Sequence, residues 1–290
     1  MFWWMITTLV MLLYGVLVTK AVGLLKWTRG IHGFDYMDPD SWKVDYPICK
    51  RYRQSPIDLN PDYFRYVADA SPLRWVGYDD APENMTISNN GHTLTLNAFW
   101  PQTSLPYMTG GPLYSEYVFT QLHFHWGEDD SVGSEHTADG SSFPLEMHMV
   151  HWKRAYGSFE KALRHSDGLA VVGVFFEIDD DHDRVAPLNM IFDHIEEIRD
   201  VDSKASLVPF PLSIFEVVGA PTSFMTYMGS LTTPPCYEAV IWIVSNFVPP
   251  VSTSQMRELR TLRLRHNDRH NYRPIQPRYD RSIYFFVNDM

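Results

Sequence analysis

A mainly β, α+β fold in one domain, with short peripheral helices around a sheet, is what this sequence predicts, and three observations lead to it. Of 290 residues, 45% are hydrophobic and 14% aromatic, so the chain can bury a large core and sits near the upper size of one domain. No internal repeat, low-complexity tract or Gly/Ser linker divides residues 24–290, and the 20 prolines are spread along the chain. Short apolar or alternating runs bounded by turn residues recur, whereas runs with helical period are few and short.

In chain order, the strand-like runs are Thr93 to Ala98, Tyr117 to Trp126, Leu145 to Trp152, Leu169 to Ile178 and Ala239 to Val248. Helical patterning is confined to Ser158–Arg164, Ala186–Ile198 and Ser254–Leu264, which puts helices at the edge of a sheet rather than at its centre. The last piece carries Arg257, Arg260, Arg263 and Arg265. These mix the faces of a helix and have no interleaved aromatics, so they read as a solvated surface. The formal charge of -11, from 35 acidic and 24 basic residues, likewise argues against a nucleic-acid partner.

The segment Phe2 to Val18 is apolar or weakly polar throughout, and Ala21-Val22-Gly23 offers small residues for cleavage. Residues 1–23 therefore read as a secretory signal peptide, with an uncleaved signal anchor as the alternative, and 24–290 as the folded domain. Any membrane association would run through this N-terminal segment only. After such a signal the two cysteines, Cys49 and Cys236, are either one long-range disulfide or two core thiols. Asn84-Met85-Thr86 matches the N-glycosylation sequon.

The chemistry begins at Gln121-Leu-His-Phe-His-Trp126. Side chains alternate faces along a strand, so His123 and His125 point the same way. In Leu145-Glu-Met-His-Met-Val-His-Trp152, the residues Glu146, His148, Val150 and Trp152 share one face, and His148 can supply a third imidazole. Three neutral imidazoles with an open fourth position are the pattern of catalytic zinc, since structural zinc is closed by four protein ligands. Gln121 and Glu146 flank these histidines at i±2, where each can accept a ring N–H.

Ser134-Glu-His136 followed by Glu146-x-His148 closely resembles the signature of alpha-class carbonic anhydrases. The similarity runs from about Tyr36 to Arg278 through Gln54-Ser-Pro-Ile-Asp58, Asn89-Asn-Gly-His92, Ser230-Leu-Thr-Thr-Pro-Pro235 and Asn271-Tyr-Arg-Pro274. The resemblance implies a twisted, mostly antiparallel sheet of about ten strands. It implies Zn2+ on His123, His125 and His148, with Gln121, Glu146 and the backbone of Asn271 taking the remaining ring protons. The reaction implied is reversible hydration of carbon dioxide by zinc-bound hydroxide to bicarbonate and a proton.

By the same resemblance Thr232 orients the attacking oxygen while donating its own proton to Glu135. Val150, Val171, Leu231 and Trp242 form an apolar wall for carbon dioxide. His92, at the cavity mouth, shuttles protons along a water chain ordered by Tyr36, with Thr95 where an amide is frequent. His136, placed beside Glu135 in a structural network, and His151 are assigned to packing and hydrogen bonding. Cys49 and Cys236 fall where secreted and membrane-bound members carry a disulfide, which implies a secreted protein or a membrane-anchored one with an extracytoplasmic domain. The alternative function is a non-catalytic carbonic-anhydrase-related binding protein. It is disfavoured because the three histidines, Thr232 and Glu135 are all present.

Overall fold

A computed structural model of the chain describes residues 33–68, 71–181, 186–219 and 223–287. It divides the chain into two units, Met1–Phe34 and Asp35–Met290, and every element below lies in the second. The signal-peptide or anchor reading of residues 1–23 falls outside the described residues. Among those described, no helix is long and apolar enough to cross a membrane.

The strands are β1 (Asp58–Leu59), β2 (Phe64–Val67), β3 (Leu73–Val76), β4 (Asn84–Asn89), β5 (Leu94–Phe99), β6 (Tyr107–Gly110), β7 (Leu113–Trp126), β8 (Thr137–Ala138), β9 (Leu145–Lys153), β10 (Leu169–Ile178), β11 (Lys204–Leu207), β12 (Phe224–Gly229), β13 (Val240–Ser245), β14 (Pro250–Val251) and β15 (Ile283–Phe286). Thirteen form one mixed sheet, whose continuous path runs β11-β4-β5-β7-β9-β10-β13-β12-β15-β2. Most neighbours are antiparallel, but β10 pairs in parallel with β13 and β14, and β15 with β2. The helices α1 (Trp42–Asp45), α2 (Phe159–Ala162), α3 (Ala186–Phe192) and α4 (Thr253–Leu259) are short.

All five strand-like runs become strands, because each is apolar enough to lie inside the sheet. The central β9 and β10 are buried along nearly their whole length, as expected of near-continuous apolar runs covered on both faces. Alternation divides their side chains between two cores. Met147, Met149, Val172 and Val174 join Leu122, Phe124 and Ile243 on one face. Val150, Val171, Phe175, Trp242 and Val244 pack on the other.

Helix boundaries depart from the periodicity. α4 starts on a capping box in which Ser252 and Gln255 exchange side-chain and backbone bonds, and it ends at Leu259, five residues short of the expected limit. Leu262 continues the apolar spacing of Met256 and Leu259 but is buried, like Leu264, from irregular chain. The arginines nearby face acids instead of solvent alone: Arg260 meets Asp130 at 2.7 Å, Arg263 meets Asp200 at 2.6 Å and Arg265 meets Asp202 at 2.6 Å.

Cys49 and Cys236 are joined by a disulfide across 187 residues of sequence, with their Cα atoms 5.0 Å apart. Arg273, 1% exposed, braces the same junction: its guanidinium donates to the carbonyls of Cys49 and Ser55 and to Gln54 Oε1. Closing so long a loop removes much of the unfolded chain's freedom. Reduction, or Cys236→Ser, is expected to lower unfolding free energy by about 2–5 kcal/mol, which denaturant titration with and without reductant will measure.

Candidate metal centre

The antiparallel register of β7 and β9 sets His123 opposite His148 and His125 opposite Glu146. The rings converge: centroids lie 5.0 Å apart for His123–His125, 5.2 Å for His123–His148 and 4.5 Å for His125–His148. One nitrogen from each ring lies within 4.8 Å of the other two, so the trio can hold a metal ion.

The other nitrogen of each ring faces an acceptor. His123 Nδ1 lies 3.0 Å from Gln121 Oε1, His125 Nδ1 lies 2.7 Å from the Asn271 carbonyl, and His148 Nε2 lies 2.7 Å from Glu146 Oε1. Each acceptor draws the ring proton to its own side, leaving lone pairs on Nε2 of His123 and His125 and on Nδ1 of His148. His125 Nε2 is buried without a hydrogen-bond partner, an expensive arrangement unless something electrophilic uses it. Burial, reinforced by the neighbouring imidazoles, holds His123 well below the usual imidazole pKa. Burial also lowers His125, although Glu135 opposes the shift. Both rings are therefore neutral near pH 7, the form that binds metal.

Glu146, fully buried, is the hub beneath these rings. Its Oε2 accepts the backbone N–H groups of Glu135 and His136 at 2.8 and 2.9 Å, and its Oε1 faces His136 Nδ1 and His148 Nε2, each at 2.7 Å. Burial pushes the carboxyl pKa up, but the His136 and His148 rings outweigh it and hold the group well below the usual carboxylate range. His136, Glu146 and His148 also cluster closely enough for a metal. Their facing atoms are already hydrogen-bonded to one another, however, so this is a positioning network. It continues from His136 Nε2 to the Tyr227 hydroxyl at 2.8 Å and on to Ser55 Oγ at 2.8 Å. Tyr227 and Arg273 escaped individual notice in the sequence, although Arg273 and Ser55 lie in motifs already singled out.

Glu135 Oε1 accepts the Arg273 backbone N–H at 2.9 Å. Its Oε2 is buried without a hydrogen-bond partner, 3.4 Å from His125 Nε2 and 3.8 Å from His148 Nδ1. No hydrogen bond joins Thr232 to Glu135, whose free oxygen faces the imidazoles; Thr232 itself is buried. Val150, Val171 and Trp242 are successive register partners across β9, β10 and β13, forming an apolar row beside His148. Leu231 packs against the same cluster, and the Trp242 ring lies 4.7 Å from that of His148.

His92 departs from the expected position at an open mouth. It is 6% exposed, in a turn whose His92 and Thr93 N–H groups donate to Asn90 Oδ1. Asn271 Nδ2 donates to the carbonyls of His92 and Phe124 and so ties the turn to β7. Tyr36 lies edge-on to His92, centroids 6.3 Å apart, and Thr95 is the cross-strand partner of His123. Asn84 is exposed at the start of β4.

The sequence profile of eukaryotic-type carbonic anhydrases matches residues 37–287. The chain is 38% identical over 264 residues to carbonic anhydrase 7 of Homo sapiens, covering 88% of this chain and 97% of that protein. It is 37% identical over 250 residues to carbonic anhydrase 3 of Sus scrofa, covering 84% and 93% respectively.

His151, on the opposite face of β9 from His148, is fully buried with its Nε2 against the Tyr78 hydroxyl. Burial lowers its pKa to about 3. The folded state therefore binds this proton less readily than the unfolded chain, and the associated stability is present above pH ~6.5 and lost as the pH falls toward about 3. Between pH 7 and pH 5 the loss from this group is about 2 kcal/mol. Denaturant unfolding at both pH values is expected to read it, with a shallower pH slope in His151→Phe.

Proposed function

The chain belongs to the eukaryotic-type carbonic anhydrase family and is a carbonate dehydratase, and from that premise we propose that it works with one Zn2+ on His123, His125 and His148, outside the cytoplasm. The observation that carries the metal assignment is the convergence of three ring nitrogens whose opposite nitrogens are all committed to acceptors, with His125 Nε2 buried and unpartnered. All-imidazole donors suit zinc, and three protein ligands suit a catalytic site. When bound, the ion supplies a Lewis acid that acidifies water at the remaining position.

The chain's own residues do the rest. Gln121, Asn271 and Glu146 hold the ring protons away from the metal side. Val150, Val171, Leu231 and Trp242 exclude water from one wall and offer carbon dioxide, a small apolar molecule, a surface that costs it no hydrogen bonds. Glu135 can only accept while ionised, so a Thr232 hydroxyl donating to its free Oε2 would have its own lone pair directed at the reacting oxygen. His92, beside Tyr36, carries the product proton out, and its buried position makes movement of the Asn90-Gly91-His92 turn part of that step.

Export is supported by the Cys49–Cys236 disulfide, since such bonds persist in oxidising compartments. Residues 1–23 act as a signal peptide in this reading, or as a signal anchor if they are retained. Mass spectrometry of the mature N-terminus separates the two: a start near Leu24 means secretion, and an intact Met1 means an anchor.

The purified chain is expected to carry one zinc and to hydrate carbon dioxide in stopped flow. His148→Ala is expected to abolish both. Glu146→Gln is expected to weaken zinc binding about 10–100-fold, and Thr232→Val to lower turnover on the order of 100-fold with zinc retained. A folded wild-type chain that neither binds zinc nor turns over would identify a binding module instead.

A further inference from the structure

We infer that Asn84 is glycosylated and that its first sugar lies over the exposed ring of Phe99. The two residues are cross-strand partners in the β4–β5 register, so their side chains leave the same face of the sheet with Cβ atoms about 5 Å apart. Asn84 is exposed and Phe99 is 55% exposed. On the other side of β4, Leu207 pairs with Met85, and the next residue, Val208, is 81% exposed. Asn84 thus stands beside the uncovered Phe99 ring, with the exposed Val208 just past the end of the strand on its other side. The apolar face of a pyranose ring anchored there would cover them.

Thr86 supplies an independent observation. It is 5% exposed, and its Oγ1 is buried with no hydrogen-bond partner, although Asn97 and Ser206 sit opposite it on the flanking strands. Valine has nearly the same shape and would leave no hydroxyl unsatisfied. In the folded state this hydroxyl makes no hydrogen bond. Recognition of Asn-x-Thr on the extended chain, before β4 is buried, does use it. In the transfer, Asn84 Nδ2 bonds to the anomeric carbon of an oligosaccharide donated by a lipid pyrophosphate. The carbon–oxygen bond to the pyrophosphate breaks, the pyrophosphate departs with the electron pair, and the amide releases one proton.

The site rests on the export reading, so two forms of the full chain are expressed in mammalian cells: one from its own start and one with an unrelated cleavable leader ahead of Met1. Peptide mass spectrometry after glycan amidase in heavy-oxygen water reads conversion of Asn84 to Asp. Modification in both forms is expected. Modification only with the borrowed leader would keep the site and overturn export by the native N-terminus; no modification in either would overturn the site. Thr86→Ser is expected to stay modified. Thr86→Val is expected to lose the sugar and to melt no lower than Asn84→Gln, whereas a lower melting point would show that the hydroxyl serves the fold. Phe99→Ser is expected to lower the melting temperature of the glycosylated protein by about 2–4 °C more than that of the amidase-treated protein. Equal shifts would overturn the stacking. Phe99 lies four residues along β5 from Thr95, roughly 13 Å, so hydration activity is expected to be unchanged.

Discussion

A carboxylate with no exposed surface lies at the centre of this molecule, and much of the site's geometry follows from keeping Glu146 charged there. An isolated ion in such a place would neutralise or pull the structure apart. Here two backbone N–H groups and two imidazoles surround it, so its lone-pair directions are used. The consequences spread outward. His148 must present Nδ1 to the other histidines because Nε2 is committed. The Glu135–His136 backbone must curl over Oε2, which carries the Glu135 side chain to the same rings. Even the neighbouring strand makes room: a Cβ at Gly173, the register partner of His148, would lie 3.1 Å from Glu146 Oε1.

The segment Asn271–Arg273 ties this hub to the rest of the chain. Asn271 takes the His125 ring proton on its carbonyl, and its amide bridges the His92 turn to β7. Two residues later, the Arg273 N–H holds Glu135, while its side chain reaches the carbonyls of Cys49 and Ser55. Burial lowers the Arg273 pKa to about 10, with Glu135 opposing the shift, so it stays cationic at neutral pH. A single stretch thereby joins the disulfide, the Glu135 side chain facing the imidazoles and one imidazole's tautomer. A smaller tie near β1 and β8 is made by Asn60 donating to Asp139 and by Thr137 and the Gly140 N–H donating to Asp58.

The parts of the site legible from residue order were those that depend on strand alternation. His123, His125, His148 and Val150 share a face because side chains in a strand repeat every two residues, and no long-range information is needed for that. The acceptors of the His123 and His148 protons were also readable, being two residues away. The acceptor for His125 was not, since Asn271 is 146 residues distant, and only resemblance to a known family supplied it. The burial of His92 escaped both routes, since the turn that carries it is tied to β7 by that same distant residue. Short strands such as β2, β3, β11 and β15 span four residues each, too few for a periodic signal. The end of α4 differs from the periodic reading because Leu262 keeps helical spacing from Leu259 while packing from a loop.

Chemistry and packing are specified by one register. His148 and His151 stand three residues apart on β9 and so leave opposite faces: the first joins the metal-side imidazoles, and the second is held neutral in the core against Tyr78. A slip of one residue would exchange these faces, turning Met147 and Met149 toward His123 and His125 and burying Glu146 among apolar side chains without its donors. β9 cannot slip without breaking its pairing to both β7 and β10, which runs along nearly its whole length. The apolar residues that make β9 the centre of the sheet are therefore also what aims its histidine.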